Sequence, residues 1–115
     1  MNINLLVIRS HNPQALSVQY AALGMEFSFH KHGNGPDHYA AEFNGQVFEI
    51  YPLQDKNCNV DSHVRIGFEV GKLDALLKQL SDSNWIISSP IKHTEWGTIA
   101  VLQDLDGRKI ELKNK

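Results

Sequence analysis

The chain has 115 residues, 42% of them hydrophobic and 21% charged, the balance of a folded globular domain rather than a disordered or collagen-like one. Lysine and arginine number 11 against 13 acidic residues, a net charge of −2, which removes the electrostatic ground for general nucleic-acid binding. The apolar runs are short beside the roughly 20 residues that cross a bilayer, so no membrane partner is expected. Cys58 is the single cysteine, so no internal disulfide can form. With no basic stretch or cleavage site in Met1 to Leu6, the expected location is cytoplasmic.

Ile3 to Arg9 is an apolar, partly β-branched run and reads as a buried strand. Asn12-Pro13 has the form of an N-cap followed by proline at the first helical position, and predicts a helix over Gln14 to Leu23 stopped by Gly24. Met25 to His32 alternates with Met25, Phe27 and Phe29 on one face, and 33–37 is a loop by composition. His38 to Phe43 and Gln46 to Tyr51 flank Asn44-Gly45, a strong signal for a two-residue hairpin.

Residues 53–61 are polar and read as a linker. From His63 to Val70 alternation resumes, with Val64, Ile66, Phe68 and Val70 on one face and Arg65, Gly67 and Glu69 on the other. Leu73, Leu76, Leu77 and Leu80 make the apolar stripe of a helix. Asn84 to Ser88 reads as a short strand ended by Pro90. Gly97 to Asp104 and Arg108 to Lys113 make a last pair of strands around the Asp104–Gly107 turn.

The two halves, 3–52 and 62–113, therefore run in one order: strand, helix, three strands. Their last strands match in detail, because Gly45 and Gly107 are each followed four residues later by a glutamate between large apolar residues. Period-two alternation puts Phe48 with Ile50, and Ile110 with Leu112, beneath their helices. Glu49 and Glu111 then point to the opposite side. Glu49 lies between Val47 and Tyr51, an apolar setting in which a carboxylate is a candidate catalytic base. Glu111 lies between Lys109 and Lys113, and a solvent-facing reading suits it as well.

The order and spacing of these segments resemble the vicinal oxygen chelate superfamily, which includes glyoxalase I, bleomycin-resistance proteins and extradiol dioxygenases. The resemblance runs from Ile3 to Leu112. It is carried by Asn12-Pro13 with Tyr20 to Gly24, Val47 to Pro52, Trp96-Gly97, and Asp104 to Leu112, where Leu105 stands in place of the family's proline. It implies an α+β fold, two βαβββ modules curling a mixed sheet around a cleft, within a single domain and usually as a homodimer.

Metal-using relatives take ligands from the first and last strand of each module. The matching last-strand residues are Glu49 and Glu111, and the first-strand residues are Leu5 and Arg65. An aliphatic side chain has no lone pair to give, and a guanidinium has no acceptor and repels a dication. If the fifth strand slipped by two residues, His63 would replace Arg65 and complete a Glu49, His63, Glu111 set fit for nickel, zinc, iron or manganese. The position of Phe68 to Val70 at the strand end favours Arg65.

The leading expectation is a small-molecule-binding protein without a catalytic metal, in which Glu49 and Glu111 hold Arg65 in place and Arg65 meets an anionic group. Tyr51, Trp96 and Tyr39 are candidates to line the pocket, with core packing as the competing role for Trp96 and Tyr39. The alternative is a divalent-metal lyase, isomerase or dioxygenase acting on vicinal oxygens. His30, His32 and His38 could form a metal or proton-transfer cluster, but their polar neighbours favour solvated side chains at a strand end.

Overall fold

Alternation of apolar and polar residues, punctuated by capping and turn residues, sets each strand and helix. The computed structural model describes residues 1–31, 33–55 and 57–115. The chain divides into two compact units, 1–61 and 62–115, each a βαβββ module with its own core.

The first module contains β1 (Leu5–Ser10), α1 (Pro13–Ala21), β2 (Phe27–His30), β3 (His38–Phe43) and β4 (Gln46–Pro52), with the sheet in the order β1-β4-β3-β2. The N-cap works as the sequence predicts, Asn12 Oδ1 accepting from the Ala15 N–H at 3.1 Å. The helix ends earlier than Leu23, and the chain leaves it through Gly24 at φ +112°. Leu16 and Tyr20 are buried against the sheet, and the Tyr20 ring sits 5.2 Å from that of Phe48. Asn44 (φ 52°) and Gly45 (φ 75°) form a left-handed pair that closes the hairpin. This turn fixes the β3–β4 register, with Ala40 opposite Glu49 and Tyr39 opposite Ile50. The strand expected over Met25 to His32 is shorter, ending at His30; His32 lies outside the described residues.

The second module repeats the plan with β5 (Arg65–Val70), α2 (Leu73–Leu80), β6 (Ile86–Thr94), β7 (Gly97–Gln103) and β8 (Lys109–Asn114), in the order β5-β8-β7-β6. Leu73 and Leu80 of α2 are fully buried, as are Ile110 and Leu112 of β8. The first turn of α2 has no side-chain cap from Lys72; Asn114 of β8 accepts from the Leu73 N–H instead, at 2.8 Å.

One expectation is corrected in this module, and one alternative is decided. Pro90 does not end its strand: β6 runs through it to Thr94, with register shifts between Ile87 and Ser89 and between Ser89 and Lys92. On a bulged edge strand the missing N–H breaks no necessary ladder bond, so proline is tolerated. The fifth strand begins at Arg65, with Arg65 opposite Lys109 and Gly67 opposite Glu111, and His63 lies before it in a bend. The slipped register is not adopted.

Candidate functional site

Helix α1 covers one face of the first sheet and leaves the other open. Parity assigns Leu5, Val7 and Arg9, Val47, Glu49 and Tyr51, His38, Ala40 and Glu42, and Ser28 and His30 to that open face. A depression of about 530 Å³ lies on it, bounded by Glu26, Ser28, His30, His38, Ala40, Glu42, Val47 and Glu49. That volume is within the range of small-molecule sites.

At its base His38 Nε2 lies 3.3 Å from Glu49 Oε2, with side chains only 5% and 19% exposed. The other ring nitrogen, Nδ1, faces the Pro36 carbonyl oxygen at 3.3 Å. Both partners are acceptors, so the doubly protonated ring satisfies the two contacts at once and a neutral ring satisfies one. The imidazole is also held on its faces. It stacks on Tyr51 at 4.2 Å and 5°, and on His30 at 5.4 Å and 17°. Arg9 continues the row, its guanidinium 5.3 Å from the Tyr51 ring centre and its Nη1 donating to the Pro52 carbonyl at 3.0 Å. Arg9, Tyr51, His38 and His30 thus form one row across all four strands.

The second module carries a different pair. Arg65 Nη2 lies 3.6 Å from Glu111 Oε1, with side chains 56% and 38% exposed. Within its own module Glu49 has a histidine partner, and Glu111 an arginine. Solvation of His38 is corrected, because the side chain is buried under its stacking partners. Tyr51 shares the face of Glu49 as expected, whereas Tyr39 is on the opposite face, edge-on to Phe29 at 5.1 Å. Trp96 sits in the turn between β6 and β7, 74% exposed, and the buried tryptophan of this module is Trp85.

Two of the four positions that the resemblance gives for metal ligands, Leu5 and Arg65, have side chains without a lone pair to donate. Leu5 offers no donor atom on the first module's face, and on the second Arg65 places a cation against Glu111. Among the described residues no group of three or more His, Cys, Asp or Glu is arranged to hold a metal ion.

Sequence reasoning missed the His38–Glu49 pair, although a signal was available. A two-residue Asn-Gly hairpin fixes which β3 and β4 residues face each other, which puts His38 opposite Tyr51 and diagonal to Glu49. It also missed Arg108, buried with Asp104 and Asp106 at 3.2 and 3.3 Å in the turn before β8.

Known structures share the fold over the whole chain. A glyoxylase/bleomycin resistance protein/dioxygenase domain from Frankia sp. EAN1pec superposes with a TM-score of 0.79 at 14% identity, covering 99% of this chain and 90% of that one. The chain has the glyoxalase/bleomycin-resistance/dioxygenase fold. Proteins of that fold whose names give different roles match comparably well. TnmS3, an antibiotic binding protein from Streptomyces sp. CB03234, gives 0.77 at 16% identity over 99% of this chain and 95% of that one. Oxidase ChaP-H2 gives 0.76 at 18% identity over 100% and 94%. No family model and no curated protein matches the sequence. At such identities the glyoxalase-type fold is shared and the chemistry is not thereby assigned.

Proposed function

We propose that the chain binds a small organic molecule on the open face of its first module, without a divalent metal at the superfamily's ligand positions. The observation that carries this reading is the depression of about 530 Å³ floored by the His38–Glu49 pair. Its carboxylate is engaged by the His38 ring nitrogen Nε2, where metal-using relatives would set a metal against the last-strand glutamate. Tyr51 supplies aromatic area beside it, and TnmS3 is a binding protein of this same fold. Arg65 belongs to this reading as a fixed positive charge on the second module's face, open to an anionic group. The homodimer implied by the superfamily resemblance belongs to it too, and sedimentation equilibrium reads it directly.

The test is a thermal-shift screen of aromatic and polar small molecules, run with and without a chelator. Stabilising compounds should keep their effect in the chelator and lose it in Glu49→Gln. Stabilisation that needs added nickel, zinc, iron or manganese would replace this reading with the metal-dependent lyase, isomerase or dioxygenase.

A further inference from the structure

We propose that His38 is a positioning residue. It holds the Glu49 carboxylate by one oxygen, so that the other stays open to the first module's cavity as the acceptor for a cationic N–H group of the ligand. The inference rests on the binding site proposed above and adds the chemistry of what that site takes.

The argument begins with how little freedom His38 has. Its side chain is 5% exposed, both ring nitrogens face oxygens, and both ring faces are stacked, on Tyr51 at 4.2 Å and on His30 at 5.4 Å. A ring fixed in this way is a rigid donor, and the contact it makes is to Oε2 of Glu49. Among the described residues Oε1 has no protein partner, while Glu49 borders the cavity. A carboxylate anchored at one oxygen has already given up its rotameric freedom, so a donor that meets the second oxygen does so at lower entropic cost. Charge then selects the donor. Among the described residues the lining holds no lysine or arginine, and it adds the exposed Glu26 and Glu42 to Glu49. If His38 offsets Glu49, these two carboxylates remain uncompensated. In a recess with apolar walls at Ala40 and Val47, such a field favours an ammonium or amidinium over a neutral or anionic group.

Three probes of nearly one shape separate the possibilities: benzamidine, benzamide and benzoate, titrated against the whole chain and followed by the backbone amide shifts of Ala40, Glu42, Val47 and Glu49. Fragments of this size reach dissociation constants in about the millimolar range. Benzamidine should move these amides and bind about tenfold more tightly than benzamide, with benzoate weaker still. Glu42→Gln, on an exposed side chain, should weaken benzamidine about twofold, more than it weakens benzamide.

A double-mutant cycle isolates the positioning role. His38→Asn should weaken benzamidine about fivefold in the native background, more than it weakens benzamide, and have no further effect in Glu49→Gln. An equal loss in both backgrounds would show that His38 acts on the ligand directly or through the fold, and would overturn the proposal. Benzamide or benzoate binding at these amides as tightly as benzamidine would overturn the cation preference and leave the binding site standing. If none of the three moves these amides at tens of millimolar, the proposal and the site both fall.

Discussion

The two modules share a backbone plan and differ in what stands on it. Register makes the match explicit: Val7 faces Glu49 as Gly67 faces Glu111, and Ala40 faces Glu49 as Val101 faces Glu111. At equivalent points of the open faces, Leu5, Arg9, His38 and Tyr51 of the first module become Arg65, Glu69, Ile99 and Lys113 of the second. Each module thus gives its last-strand glutamate a nitrogen-bearing partner, but takes it from a different strand. In the first module it is a buried histidine on β3, in the second an exposed arginine on β5. The lesson is that a duplicated plan conserves where a carboxylate points and not what environment it meets. Burial and stacking make one pair rigid, and solvent makes the other weak.

The hairpin turns supply the sharpest way to break the comparison. Asn44-Gly45 closes the first module's hairpin by backbone conformation, whereas the corresponding turn of the second encloses Arg108 between Asp104 and Asp106. Asp104 Oδ1 also accepts from the N–H groups of Asp106 and Arg108 at 2.9 and 3.0 Å. Asp104→Ala leaves a guanidinium buried without its closest carboxylate, and should cost about 3–5 kcal/mol, read from the midpoint of urea unfolding. A loss under about 1 kcal/mol would mean that the turn is as self-sufficient as its counterpart.

The paired glutamates come next. His38→Ala removes the donor from a mostly buried carboxylate and the centre of the stacked row, and should cost about 1–3 kcal/mol in the same measurement. Arg65→Ala, on a pair more than a third exposed at both ends, should cost about 0.5 kcal/mol or less. Equal losses at the two positions would erase the distinction drawn between the modules. The smallest effect is expected on the strand that has no counterpart of similar length. Pro90→Ala, at a bulge of the edge strand β6, should shift stability by no more than about 0.5 kcal/mol, and thermal unfolding is enough to see it.

Much of the plan was legible because it is written in local patterns. Phe48 and Ile50 alternate against Glu49 and Tyr51, the leucines of α2 repeat at helical spacing, and Asn12-Pro13 and Asn44-Gly45 carry their own turn chemistry. Pro90 misled because proline stops an interior strand, and whether a strand lies at an edge depends on what pairs with it. Trp85 and Trp96 are alike in sequence terms, yet one is buried and the other lies in an exposed turn. The site was half legible. Glu49 and Tyr51 follow from parity on one strand, while His38 required pairing across β3 and β4, and its contact with His30 required the register of β2 and β3 as well.

Sequence by itself determined the two βαβββ modules and the faces of their last strands, since these depend on residue type and short-range periodicity. Tertiary structure alone decided that His38 is clamped to Glu49, that Asn114 caps α2, and that Arg108 is buried between two aspartates. The physical reason is distance along the chain and burial: such contacts join groups whose approach depends on register and on packing of the whole module, and no local pattern encodes either.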